Sequence, residues 1–298
     1  MRVISLDYPT IRFNIGENQN EMLLNPDITE LALRKKGITS IDFSELRKCT
    51  ELERLNLSGN KIEDISSIPF ENLPNLKLLD LNHNKISNFD SSILKEMGYL
   101  KVISLSYNPI GNIDLSPLGK CSSLLAVRLT KTERTTVDLS FVEKCSNFRE
   151  FSVAFNEIDS IDLSPLANCQ NLETLSLNRN NLSTIDLSPL SNCTKLKTLN
   201  LSDNKLSNLN LGPLSTCFGL FSIVLSKNQL NDINLDPIGN LSGLKGLNLQ
   251  GNNLRKIDLS GLMHIGEMEV IDLRDNPIAE VVDMEIQGKV RILSGSSD

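Results

Sequence analysis

Seven aspartates recur at one phase of a 24-residue period: Asp42, Asp90, Asp114, Asp138, Asp162, Asp186 and Asp258, with Asn210 and Asn234 in the same phase. Carboxylates stacked about 5 Å apart repel by roughly 0.8 kcal/mol per pair even in water, and a bound cation such as calcium would relieve that. The segments around them lack glycine-rich loops and dense oxygen ligands, and Asn and Ser66 are admitted to the column, so hydrogen bonding to adjacent turns competes with a metal ladder. All six cysteines, Cys49, Cys121, Cys145, Cys169, Cys193 and Cys217, share a second phase. Such a column could form disulfides or hold a metal. Leu73, Met97, Leu241 and Ile265 occupy the same place in other units, which is how a small buried hydrophobe behaves. Free buried thiols fit a reducing compartment.

Other catalytic chemistry is hard to assemble. His83 and His264 lie about seven and a half periods apart. Ser242 to Lys245 matches S-x-x-K, but it falls in repeat phase, with Lys245 in an ordinary exposed slot. The acid pair Glu63 and Asp64 has no pocket signature beside it, and no zinc, phosphate-loop or nucleophile-elbow motif is present. No catalysis, cofactor or metal is expected. The net charge of −7 opposes nonspecific binding to nucleic acid or an anionic membrane. Arg54, Arg128, Lys131, Arg149 and Arg179 leave a weaker alternative of a local basic strip that meets RNA.

The elements that carry these residues are set by the repeat. Units begin at Ile28, Leu52, Leu76, Leu100, Leu124, Phe148, Leu172, Leu196, Leu220, Leu244 and Met268, always 24 residues apart. In the unit L-E-T-L-S-L-N-R-N-N-L, Leu172, Leu175 and Leu177 change spacing from three to two, as at the start of a short strand with alternate residues inward. Asn180 stands at position 9, where the chain must leave the strand. Asn60, Asn84, Asn108, Asn156, Asn204, Asn228, Asn252 and Asn276 repeat it, a column suited to satisfying buried backbone groups. In the second half, I-D-L-S-P-L-A-N-C from Ile161 to Cys169, Ser164 and Pro165 predict a helical or 3₁₀ turn with Ser as N-cap.

With L-x-x-L-x-L-x-x-N at a fixed period, the chain resembles the leucine-rich-repeat superfamily over about nine tenths of its length. The resemblance implies an α/β solenoid, a horseshoe with a concave parallel β-sheet and convex short strands and 3₁₀ or helical turns. It also implies a binding role without naming the partner. The expected organisation is one domain: an N-terminal cap over 1–27, eleven repeats over 28–291, and C-terminal capping strands and tail over 279–298. Met1 to Asn14 reads as a strand or hairpin, and the segments around Gly288 as strands or a hairpin closing the last core face. Arg34, Lys35 and Lys36 in the atypical first unit read as a cap or an anion site. No signal-like start and no long apolar run are evident, so a soluble, cytoplasmic protein is expected, monomeric when unbound.

The fifth unit breaks the pattern, with Thr132 at the asparagine position and Arg134 at the following core position. Phe141, Phe148, Phe151 and Phe155 gather just downstream. Two readings stand: rings filling space that a Leu at 134 would have taken, or a bulge of Lys131 to Thr136 beside the binding face. On that face, position 8 runs His83, Tyr107, Lys131, Phe155 and Arg179. Position 5 contributes Arg128, and position 3 contributes Leu78, Val102 and Glu150. Aromatic rings and arginine beside aliphatics are the composition of an interface hot spot. The expected function is a noncatalytic protein-binding module acting through the concave face, and the resemblance to intracellular repeat-only chains implies a regulator of an enzyme. The alternatives are a self-associating spacer, or a subunit that completes a partner enzyme's site.

Overall fold

Most units place Leu, Ile, Val, Phe or Met at positions 1, 4 and 6 and a further apolar residue two places beyond the asparagine position, and most of these side chains are almost completely buried, with Arg134 taking the last of these places in the fifth unit. Leu172, Leu175 and Leu177 illustrate the pattern, with Leu182 following. A coil of 24 residues cannot bury such a face alone, so stacking supplies the core. The computed structural model describes residues 8–282 and 290–296. Contacts divide the chain into two compact units, one ending at Thr132 and one beginning at Glu133.

In the first unit, β1 (Thr10–Ile15) and β2 (Asn18–Leu23) form an antiparallel hairpin. Strand β3 (Glu30–Ala32) precedes β4 (Ile38–Asp42), and β1 pairs antiparallel with β4. Next come β5 (Arg54–Asn56), β6 (Leu78–Asp80), β7 (Val102–Ser104) and β8 (Ala126–Arg128). From β3 through β5 to β8 the pairing is parallel and in register, so Leu31, Leu55, Leu79, Ile103 and Val127 line up in the core. The alternation in Met1 to Asn14 thus reaches a hairpin that runs on to Leu23, while residues 1–7 lie outside those described.

The second unit repeats this with β9 (Glu150–Ser152), β10 (Thr174–Ser176), β11 (Thr198–Asn200), β12 (Ser222–Val224) and β13 (Gly246–Asn248). Then follow β14 (Lys256–Asp258), β15 (Val270–Asp272), β16 (Glu280–Val282) and β17 (Arg291–Leu293). Of the two readings of the closing segment, strands or a hairpin, the described residues give strands. Strand β17 adds parallel to β15, and β16 adds parallel to β14, so the two last strands extend separate ladders. Gly288 lies outside the described residues.

The turn side also departs from expectation. Leu163, not Ser164, is the N-cap of the 3₁₀ turn Ser164–Asn168, and it makes no side-chain cap bond. The capping group is Asp162, whose carboxylate accepts from the N–H and the hydroxyl of Ser164 at 2.8 and 2.5 Å. Asp114 and Asp138 bond Ser116 and Ser140 in the same way. Asn210 and Asn234 keep only the bond to N–H. The aspartate column is therefore a row of turn locks, each closing its own coil, which is why Asn can replace Asp.

These bonds hold the Asp42, Asp162, Asp186 and Asp258 carboxyls below their ordinary range, through the N–H and hydroxyl of the serine two residues on. A carboxyl depressed by folding stabilises fully above its unfolded pKa of about 4 and loses that contribution as pH falls through the folded value. The melting temperature should accordingly drop below about pH 4. An Asp162→Asn, Asp186→Asn variant keeps the N–H acceptor but cannot titrate, so its melting temperature should fall less steeply between about pH 4 and pH 2. Parallel slopes for the two proteins in thermal scans would contradict the assignment.

The cysteines pack in the core, all six without measurable exposure. Cys49, Cys169, Cys193 and Cys217 are free thiols. Burial pushes Cys169 and Cys193 up to about 12 and Cys217 to about 11, so they stay protonated and unreactive. Cys193 and Cys217 lie 3.8 and 3.3 Å from the carbonyls of Leu166 and Leu190 in the preceding coil.

Candidate binding surfaces on the strand side

Position 8 has a property that the apolar pattern does not announce. Its non-glycine residues, Lys35, His83, Tyr107, Lys131, Phe155, Arg179, Asp203, Lys227 and Asp275, all have φ between 52° and 58°, and Gly59 and Gly251 are positive as well. A left-handed conformation costs a non-glycine residue roughly 1–2 kcal/mol. Here it is imposed by the stacked coils. His83 donates its N–H to the Ser106 carbonyl at 2.8 Å, Tyr107 to Thr130 at 2.7 Å, and Arg179 to Ser202 at 2.8 Å. The sequence signal was Gly59, Gly251, Asp203 and Asp275 at this phase, residues that tolerate positive φ.

The asparagine that follows locks the turn. Asn84 donates to the Leu57 and Leu81 carbonyls, both at 3.0 Å, and its Oδ1 accepts from the N–H of Ile62 at 3.1 Å. Asn108, Asn180, Asn204, Asn228 and Asn252 repeat the set. Position 8 is thus held by backbone on one side and a buried amide on the other.

In the first unit this fixture aligns three side chains. The His83 and Tyr107 rings stack with centroids 4.0 Å apart and 12° between planes, and Lys131 Nζ lies 5.9 Å from the Tyr107 centroid. Leu78, Val102 and Ala126 stand side by side at the start of their strands, as do Asp80, Ser104 and Arg128 at the end. Leu78 and Val102 are half-buried, and Arg128 Nη1 donates to Ser104 Oγ at 3.2 Å. In the second unit, Arg179 Cζ lies 4.5 Å from the Phe155 centroid, and its Nε is 3.2 Å from Asp203 Oδ2. Glu150 is half-buried and pairs in register with Thr174. Tyr107 and Phe155 each remain 38% exposed.

The fifth repeat is quieter than its sequence suggests. Thr132 is buried and donates its hydroxyl to the Leu129 carbonyl at 2.9 Å. Arg134 occupies the core position with 2% exposure, and its Nε donates to the Thr136 carbonyl at 3.1 Å. Phe141, Phe148 and Phe151 are fully buried, with Phe141 and Phe148 edge to face at 6.3 Å. Phe155 is the ring that departs from this cluster for the surface.

A family model described as leucine rich repeat matches residues 26–86, 146–206 and 218–278. The chain belongs to the leucine-rich-repeat family. A search of curated proteins gave no significant match. Among solved structures, the leucine-rich-repeat chain resembles an internalin from Listeria monocytogenes, with TM-score 0.64 and 23% identity over 93% of this chain and 90% of that one. It also resembles a leucine-rich-repeat protein of Leptospira interrogans, with TM-score 0.59 and 20% identity over 84% and 74% of the two chains. A third likeness is to a chain of an octameric complex of latrophilin 3, Unc5D and the leucine-rich-repeat part of FLRT2, with TM-score 0.70 and 23% identity over 90% and 84%. These likenesses establish the solenoid fold. Leucine-rich-repeat folds are typical protein interaction modules and generally noncatalytic. Among the described residues no helix is long and apolar enough to cross a membrane, and no group of three or more His, Cys, Asp or Glu could hold a metal ion.

Proposed function

We propose that this leucine-rich-repeat protein is a noncatalytic binding module whose partner is a protein held on the strand side. In the first unit the contacts come from Leu78, Val102, His83, Tyr107, Arg128 and Lys131. In the second they come from Glu150, Phe155 and Arg179. The observation that carries this reading is the preorganisation of position 8 within each unit. Half-exposed rings there are pinned by ring stacking and cation–π contacts worth about 0.5–1 kcal/mol each, so a partner meets surfaces that lose little side-chain entropy on binding. Free thiols in the core favour a cytoplasmic setting.

The test is affinity capture from host lysate with wild type and a folded Tyr107→Ala, Arg128→Glu, Phe155→Ala variant. A stoichiometric protein retained by wild type and lost by the variant is the expected result, with a weakening of at least about 100-fold from several truncated anchors. Retention of the same protein by both would move the site to the turn side or the ends.

A further inference from the structure

The first unit carries a charge distribution at odds with the chain's net charge of −7. Arg34, Lys35 and Lys36 follow β3, and Lys61 and Lys85 occupy the position after the asparagine in the next two coils. All five are exposed. Lys85 meets Glu63 at 3.6 Å, whereas Arg34, Lys35, Lys36 and Lys61 form no ion pair among the described residues. Their backbone is fixed: the N–H of Lys36 donates to Asn60 Oδ1 at 2.9 Å, that of Lys61 to the Ile38 carbonyl at 2.8 Å, and that of Lys85 to the Ile62 carbonyl at 2.9 Å. Unpaired like charges held close on a rigid frame are unfavourable by themselves and are relieved by an anionic ligand.

The same edge offers a place for a ring. One face of His83 is covered by Tyr107. The coil before His83 has Gly59 at position 8, so that coil places no position-8 side chain beside the imidazole. A β-carbon at Gly59 would come within 2.8 Å of Lys35 Cγ, so the Lys35 stem lies against the bare backbone there. A lysine stem, a bare glycine backbone and an imidazole thus follow one another along this edge.

We propose that the edge of the first unit running from Lys35 past Gly59 to His83 takes an acidic peptide segment of a partner protein. One planar side chain of that segment stacks on His83 above Gly59, and its carboxylates meet Lys35, Lys36, Lys61 and Lys85. This rests on the protein-binding reading above and gives the partner a chemistry. The overall acidity of the chain disfavours a nucleic acid, whose phosphate every few ångströms would meet repulsion beyond this edge.

The experiment is fluorescence anisotropy with labelled peptides of Glu and Asp around a central Trp, the same with Ala for Trp, and a lysine-rich counterpart. The acidic Trp peptide is expected to bind at least about tenfold tighter than the Ala peptide, about 1.4 kcal/mol, for the loss of one stacked ring. Its affinity should fall with salt, and the lysine-rich peptide should not bind. Lys36→Glu with Lys61→Glu should cost tenfold or more, while the control Lys205→Glu with Lys227→Glu in the second unit leaves binding unchanged. His83→Ala should abolish the Trp preference and keep the charge dependence. Equal binding of acidic and basic peptides, or equal losses in both charge-reversed variants, would overturn the proposal. So would tighter binding of a single-stranded oligonucleotide, or self-association in sedimentation that Lys36→Glu with Lys61→Glu abolishes. If the peptides fail while capture still depends on Tyr107, Arg128 and Phe155, this inference falls and the protein-binding reading stands.

Discussion

Replacing Asn204 with alanine is expected to destabilise the protein by about 3 kcal/mol, the largest loss foreseen for any polar substitution. The side chain is 7% exposed. Its Oδ1 accepts from the N–H of Leu182 at 3.0 Å, and its Nδ2 donates to the carbonyls of Leu177 at 3.1 Å and Leu201 at 3.0 Å. The carbonyls are shared, since Leu177 also accepts from Asn180 and Leu201 from Asn228. Losing Asn204 therefore leaves each carbonyl one partner, at about 1 kcal/mol per lost bond, but strips the buried Leu182 N–H, at about 1–3 kcal/mol. Asn204→Asp separates the contributions, because it retains the acceptor for Leu182 while presenting a carboxylate to two carbonyls. It should be no more stable than the alanine variant at neutral pH and should recover as the carboxyl protonates in acid. Urea titrations decide this. A loss below about 1 kcal/mol for Asn204→Ala would mean that water replaces the amide at little cost.

Arg134→Leu runs the other way and is expected to stabilise by about 1–3 kcal/mol, as replacing a buried charge by a well-packed aliphatic often does. The equivalent places in neighbouring coils hold Ile158, Leu182, Leu206 and Leu230, all buried. Burial depresses the Arg134 guanidinium from its ordinary value to about 10, which records the cost of keeping it charged in the core. The Thr136 carbonyl that it bonds belongs to an exposed residue, so solvent can replace Nε. The sign with pH is fixed by the direction of the shift. A cation whose folded pKa is lowered carries its full penalty below about pH 10 and sheds it as pH climbs from there towards the ordinary guanidinium value. The stability gap between Arg134→Leu and wild type should accordingly narrow above pH 10. A variant less stable than wild type at pH 7 would show that the guanidinium contributes more by its contacts than it loses by desolvation.

Most of the fold was legible because the period of 24 ties each coil to the next, and the buried residues fall where Leu172, Leu175 and Leu177 predict. The asparagine column was legible for the same reason: no other side chain of that size offers a donor pair and an acceptor together. What the pattern could not give was backbone conformation. Ser164–Pro165 looks like a cap followed by a first turn, yet the cap bond comes from Asp162, two residues before Ser164, because a carboxylate there reaches N–H and hydroxyl at once. Position 8 was legible as a row of exposed side chains but not as a row of left-handed residues. Its aromatics and cations mask a conformational demand that Gly59, Gly251, Asp203 and Asp275 reveal. The contacts between His83 and Tyr107, and between Phe155 and Arg179, follow from that geometry and not from the composition of the column.

The asparagine amides also say how such a chain can change length. Asn204 bridges to groups 27, 3 and 22 residues before it, and the next asparagine reuses one of the same carbonyls. Those offsets act as a reading frame for the backbone. Adding or deleting a whole repeat leaves every bridge in phase, whereas one or two extra residues in a strand would throw the two bridges to the preceding coil, 27 and 22 residues back, out of register at once. Thr132, which donates to its own coil's Leu129, is where the asparagine frame is interrupted.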